Sequence, residues 1–256
     1  MCEKINKVIM NNPKVSIVIA TFNAEKTLRV AMDSILNQTF LNWECIIVDA
    51  SSKDKTIEIV KSYIKCDSRF HYISEPDKGI YDAFNKGWKL AKGEWILYLG
   101  SDDELCVNGL KLLSTEFEKS DIIYGDVILR YQNGKQKLQL AKDAEILSKA
   151  AISPCCHQSL VMKKELFSQL GGFDLSYKIM ADKDLLIKAY KKGYAFKKIT
   201  GVISYFSLGG VSQNGFKANV ESFYIHRKYN CILNSCIFFI KSIIKKIGVI
   251  AKNKIS

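Results

Sequence analysis

Four short apolar runs, each followed by a helical pattern, constrain this chain more than any other feature. "VSIVIA" (Val15 to Ala20) is a near-continuous β-branched run, as expected of a strand buried on both faces. "CIIVDA" (Cys45 to Ala50), "FHYISE" (Phe70 to Glu75) and "WILYLG" (Trp95 to Gly100) read as the next three strands. Between them lie a helix whose apolar face includes Leu28, Ala31, Met32, Ile35 and Leu36, a second over Lys53 to Lys65, and a third from about Gly79 to Lys92. Strands alternating with helices predict an α/β fold with a mostly parallel sheet, and such sheets bind ligands outside the carboxyl ends of their strands.

Those ends are polar or acidic in every case. They read Thr21-Phe22-Asn23, Asp49-Ala50-Ser51, Glu75-Pro76-Asp77 and Ser101-Asp102-Asp103. A solvated turn explains each one singly, but it has to be invoked four times along one edge. No GxGxxG follows the first strand and no GxxxxGK[ST] occurs anywhere, which counts against a dinucleotide oxidoreductase and a P-loop nucleotidase. Asp102-Asp103 instead offers carboxylates, the ligands that Mg2+ and Mn2+ prefer, and a bound cation would relieve the repulsion among Asp102, Asp103 and Glu104.

Beyond residue 120 the pattern is less regular. Asp121 to Leu129 reads as a strand, Asn133-Gly134 as a hairpin turn, Gln158 to Met162 as a strand and Lys163 to Leu170 as a helix. A "GGFD" turn, a helix from about Asp182 to Lys192 and at least one strand in "AFKKITGVISYFSLGG" complete the body. The chain has 256 residues, 48% of them hydrophobic, enough for a sizeable core. Its eight cysteines lack the spacing of a disulfide framework and no signal peptide precedes them, so a reducing cytosol is expected. Cys155-Cys156 has no second pair at zinc-ribbon spacing, and the thiols read mainly as small apolar side chains.

"KVSIVIATFNAEKTL", "IIVDASSKDKT", "EPDKGIYDAFNKGWKLAKGEWILYLGSDD" and "MADKDLLIKAY" occur in an order and spacing that resembles the family 2 glycosyltransferases, over roughly residues 13 to 210. The wording "EPDKGIYDAFNKG" looks most like bacterial transferases that assemble surface polysaccharides, whether O-antigen, capsule or exopolysaccharide. The resemblance implies a GT-A fold, Rossmann-like with a mostly parallel central sheet and flanking helices, over 13–215. It also implies inverting transfer from a nucleotide-diphosphate sugar, a UDP-sugar first, with GDP- or dTDP-sugars as alternatives, together with Mn2+ or Mg2+.

Its site residues carry over one at a time. Thr21 and Asn23 would border the base and ribose with Glu25 close by, and Asp49 would accept a hydrogen bond from the base. Asp102 would lie near the ribose or the metal, and Asp103 would be the principal metal ligand of an Asp-x-Asp type motif shortened here to Ser101-Asp102-Asp103. Lys78, Asp82 and Asn85 fall in the segment that lines the donor pocket, a solvated helix face being the structural alternative for the last two. The family's acidic pair reads Ala181-Asp182, so Asp182 matches the catalytic base, with helix capping as its alternative. Asp184, two residues on, would face elsewhere. His157 and its neighbour Gln158 would contact acceptor, diphosphate or metal, unless they are structural, and Gly209 to Asn214 matches a loop that closes over the donor.

The net charge of +12 is uneven, since Ser222 to Ser256 carries no acid and seven basic residues. On a helical projection Leu233, Cys236, Ile237, Ile240, Ile243, Ile244, Ile247 and Ile250 form one stripe away from Lys241, Lys245 and Lys252. The 216–256 segment therefore reads as a basic amphipathic helix for a membrane interface, too broken by lysines for a span. Packing on the body or on a second copy, as a homodimer, is the alternative, and nucleic acid ranks below both because the stripe is aliphatic. A membrane-facing tail suits a polyprenyl-diphosphate-linked glycan acceptor and a peripheral place on the cytoplasmic face of the inner membrane. A degenerate sugar-nucleotide-binding scaffold and a sugar nucleotidyltransferase are the competing functions, the latter lacking a basic glycine-rich loop in "TFNAEKT".

Overall fold

The computed structural model describes residues 12–209 and 215–229. Strands β1 (Val15–Thr21), β2 (Trp43–Asp49), β3 (Phe70–Ser74) and β4 (Trp95–Gly100) alternate with helices α1 (Leu28–Leu36), α2 (Thr56–Cys66) and α3 (Ile80–Leu90). These are the elements expected from sequence, with ends moved by a few residues. β1 pairs in parallel with both β2 and β4, and β2 with β3. Ile17 and Ile19 face α1, α2 and the short α4 (Gly109–Ser114), while Val18 faces the opposite layer. This two-sided burial is why the run is β-branched throughout rather than alternating.

The second half completes a sheet of nine strands among the described residues, in the order β3-β2-β1-β4-β8-β6-β9-β5, with β7 beside β6. β6 (Ile122–Arg130) turns at Asn133-Gly134 into β7 (Gln136–Gln139), and Gly134 adopts the left-handed φ of +80° that this turn requires. The strand expected from Gln158 starts later. His157–Ser159 forms one 3-10 turn, and β8 (Leu160–Lys163) then runs antiparallel between β4 and β6. β9 (Phe196–Ser207) lies parallel to β6 with a register shift, then pairs antiparallel with the two-residue β5 (Glu104–Leu105), which curls the sheet edge towards the end of β4.

The helices α5 (Ile146–Ala150), α6 (Lys164–Leu170), α7 (Ala181–Lys191) and α8 (Gly215–Tyr229) join α3 on the second face. α3 approaches β1 closely at Gly87, where a Cβ would lie 2.3 Å from a Val18 methyl. α8 buries Ile225 completely, so the described part of the basic segment packs on the body. The apolar stripe from Leu233 to Ile250 lies outside the described residues, as does most of the Gly209 to Asn214 loop. Cys45, Cys106, Cys155 and Cys156 are free, whereas Cys66 is disulfide-bonded, which the reading of all eight cysteines as apolar thiols did not anticipate.

Candidate active site

The loops after β1 and β2 are fastened to one another at the carboxyl edge of the sheet. Thr21 Oγ1 donates to Asp49 Oδ1 at 3.0 Å, the Asn23 amide to Ser52 Oγ at 2.8 Å, and the Lys53 amide to Asn23 Oδ1 at 2.9 Å. Asn23 holds φ +49°, a left-handed conformation that Asn tolerates better than most residues. Glu25 Oε2 accepts from the Lys55 amide at 3.0 Å. Asp49 is fully buried and also accepts from the Ser52 amide at 2.9 Å, the Ser52 hydroxyl, and Ser74 Oγ at 2.7 Å. Its carboxylate is thus saturated by its own neighbours, and a base would reach it only by displacing a hydroxyl. Phe22 stands 63% exposed at the same edge, an apolar surface that sequence reasoning passed over.

The α3 residues divide. Asp82 Oδ2 accepts from the Lys78 amide at 2.9 Å, just ahead of the helix, and Lys78 itself is exposed. Asn85 spends its amide on packing. It exchanges hydrogen bonds with Phe173 N and O at 2.9 and 2.8 Å, and it accepts from the Trp88 indole at 3.1 Å. That engagement matches neither a donor-pocket role for Asn85 nor a solvated helix face.

The acids after β4 take different environments. Asp103 is 1% exposed, with Gln158 Nε2 donating to Oδ2 at 2.7 Å and the Ser207 amide to Oδ1 at 2.8 Å. Burial first, then the charge of Asp102, push its carboxyl up to about 6. Asp102 stays exposed, its backbone carbonyl accepting from Ser207 Oγ at 2.6 Å. Glu104 is the acid that leaves the cluster, because its carboxylate pairs with the Arg130 guanidinium. Gly100 has no side chain for a reason. A Cβ there would sit 2.4 Å from Asp103 Oδ2 and 3.0 Å from Asp102 Oδ1, so both carboxylates converge on that point.

This convergence fits a divalent cation. Two carboxylates of raised proton affinity supply oxygen ligands, and Gln158 Oε1 beside them is a buried acceptor without a hydrogen-bond partner. Among the described residues no three His, Cys, Asp or Glu side chains close around one point.

Asp182 opens α7. Tyr81 OH lies 3.0 Å from Oδ1, and His157 Nδ1 lies 3.7 Å from Oδ2. Burial works to raise the Asp182 carboxyl, but the His157 imidazole, the Lys183 backbone N–H and the Tyr81 hydroxyl outweigh it and hold the group below the usual carboxylate range. His157 also lies within electrostatic reach of Asp102 and Asp103, and so joins the two acidic centres. Asp184 turns away as its spacing requires, bonding Lys228 and Tyr229 of α8 and Lys188 of its own helix. Tyr81, Ser207 and Glu221 are site components that sequence reasoning missed. Tyr81 carries the only signal, and it reads as an ordinary core aromatic.

Comparison with known proteins finds the family described as Glycosyl transferase family 2 over residues 16–171. A PGL/p-HBAD biosynthesis glycosyltransferase of Mycobacterium tuberculosis is 34% identical over 210 residues, covering 79% of this chain and 80% of the relative. Among solved structures, S. aureus TarS 1–349 in complex with UDP-GlcNAc superposes with a TM-score of 0.69 at 20% identity, over 84% of this chain and 65% of that one. A mannosyltransferase from Pyrobaculum calidifontis in complex with GDP-Man and Mn2+ gives 0.68 at 16% identity, over 89% and 70%. These likenesses establish a GT-A type fold.

Proposed function

The chain belongs to the family 2 glycosyltransferases, and from that premise we propose that it is an inverting, metal-dependent enzyme moving a sugar from a nucleotide-diphosphate donor to a glycan hydroxyl. The donor is a UDP-sugar, with GDP- and dTDP-sugars as the alternatives. The acceptor is a polyprenyl-diphosphate-linked glycan of surface-polysaccharide synthesis at the cytoplasmic face of the inner membrane. The body, which extends through α8 to Tyr229 rather than ending at 215, carries the chemistry, and the basic remainder of the 216–256 segment brings the enzyme to that surface. No helix among the described residues is long and apolar enough to cross a membrane.

The observation that carries this reading is a pair of aspartates driven in opposite directions. Asp182, ionised, stands between Tyr81 OH at 3.0 Å and His157 Nδ1 at 3.7 Å with a lone pair free for a proton, while the Asp103 carboxylate, crowded by burial and by Asp102, converges with that neighbour on one point as a cation ligand would. Thr21, Asn23 and Glu25 form the wall for the nucleoside, with Asp49 behind them and open to the base only when a hydroxyl is displaced. Lys78, exposed just ahead of α3, would reach the donor. Asp182 takes the proton of the acceptor hydroxyl as that oxygen attacks the anomeric carbon from the face opposite the leaving diphosphate. Asp103 and Asp102 would hold a divalent cation, which would supply charge neutralisation to that diphosphate. His157, beside Asp182, orients the base.

The test is Asp182→Asn. Nucleotide release from the donor should fall by about 10²–10⁴-fold while nucleotide affinity in Mn2+ stays at the wild-type value. Turnover that survives the substitution removes Asp182 from the mechanism. Nucleotide binding by the wild type without any turnover would favour the scaffold reading instead.

A further inference from the structure

Resting on the reading of Asp182 as base, we propose that Tyr81 is its positioning residue, holding Oδ1 so that Oδ2 is the atom that takes the acceptor proton. Tyr81 is 7% exposed, its ring packed on Phe84 and Phe173 with centroids 6.1 and 5.3 Å away, so it does not touch an acceptor. Its hydroxyl has one hydrogen and two acceptors in range, Ile179 O at 2.6 Å and Asp182 Oδ1 at 3.0 Å. The peptide that carries this carbonyl is itself fixed, because its N–H, that of Met180, donates to Glu221 Oε2 at 2.9 Å.

One hydrogen between two acceptors gives the hydroxyl a partner in both states of the base. Ile179 O lies the nearer, and the charge on ionised Asp182 is what draws the hydrogen to Oδ1. When the acceptor O–H bond breaks, its hydrogen forms a bond to Oδ2 and its electron pair closes on the anomeric carbon, whose bond to the diphosphate leaves with its own pair. Asp182 is then neutral, and the Tyr81 hydrogen turns to Ile179 O with no buried group left unsatisfied. Tyr81 keeps its proton throughout, since burial and then the Asp182 charge push its phenol well above the usual value.

The other groups facing Asp182 are His157 on the Oδ2 side and Lys183 on its own helix. Cys155 and Cys156, with Asp182 in electrostatic reach, are pushed upward by burial and remain neutral thiols, and Glu221 acts on Tyr81 from α8. Of these, Tyr81 is the group whose hydroxyl touches Oδ1.

Tyr81→Phe removes the hydroxyl and leaves the ring. Carboxyl-13C-labelled aspartate followed by NMR over pH, with the Asp182 signal assigned by its loss in Asp182→Asn, reads the base directly and needs no substrate. Removing a donor to the ionised form should raise the Asp182 midpoint by about one pH unit. With whichever of UDP-GlcNAc, UDP-glucose or GDP-mannose is turned over in Mn2+, kcat should fall about tenfold, an order typical of one lost hydrogen bond, at unchanged donor KM. The acid limb of the kcat profile should move up with the NMR midpoint. An unmoved midpoint overturns the proposal, and so does a Tyr81→Phe chain that no longer folds, because the hydroxyl would then be structural. Undiminished turnover in Asp182→Asn instead defeats the underlying assignment of the base, while the titration still judges the hydrogen bond.

Discussion

Buried ionisable side chains in this molecule settle their charge by the partner each one finds. Burial works to raise both carboxyls; at Asp182 an imidazole, a backbone N–H and a hydroxyl outweigh it and the group stays ionised, while at Asp103 the charge of Asp102 adds to it and pushes the group towards its neutral form. His226 shows the same physics away from the site. It is 3% exposed, and burial followed by the adjacent Lys183 charge push its imidazole down to about 4. With an ordinary value near 6.5 in the unfolded chain, the unfolded state binds more protons between about pH 6.5 and 4. Stability therefore falls as pH drops through that window, and melting curves of His226→Gln should lack this component. An identical pH slope in the variant and the wild type would contradict the assignment. Asp49, Asp102 and Asp103 were legible in the sequence because apolar runs mark where strands end. Tyr81 and Ser207 were not, since they meet Asp182 and Asp103 across 101 and 104 residues, and no local pattern records such a meeting.

At the scale of elements, the start of α7 depends on α8. The Glu221 carboxylate accepts from the Lys178, Ile179 and Met180 amides at 2.8, 2.9 and 2.9 Å, satisfying backbone donors just ahead of the helix that carries Asp182. Ser222 Oγ meets Lys183 Nζ at 2.7 Å, and Lys228 bonds Asp184, so α8 is tied to α7 along its length. Glu221→Ala should cost about 1 kcal/mol, the order of a net hydrogen-bond loss at part-buried amides, and lower kcat more than it raises donor KM. Thermal unfolding and steady-state kinetics read both, and a stable, fully active variant would show that α7 sets its own start. The first four strands and three helices follow from periodicity alone because each is a complete local pattern. β8 did not declare itself antiparallel, and β5 is too short to register. Their places come from the long-range pairing that curls the sheet and brings Ser207 to Asp103.

Across the whole molecule, the polar carboxyl edge of the sheet, the curl at β5 and β9 and the Tyr81–Asp182 contact between α3 and α7 position the residues proposed to meet the nucleoside, the cation and the acceptor. His157 links the last two electrostatically. This arrangement makes a specific demand, that nucleotide affinity depend on a divalent cation through Asp103. The decisive measurement is a calorimetric titration of UDP, GDP, dTDP and CMP with and without Mn2+, on the wild type and on Asp103→Ala. One nucleotide should bind with Mn2+, lose most of its affinity without it, and fail to bind Asp103→Ala in either condition. Binding that is indifferent to Mn2+, or that survives Asp103→Ala unchanged, would return the acids after β4 to the role of a solvated turn.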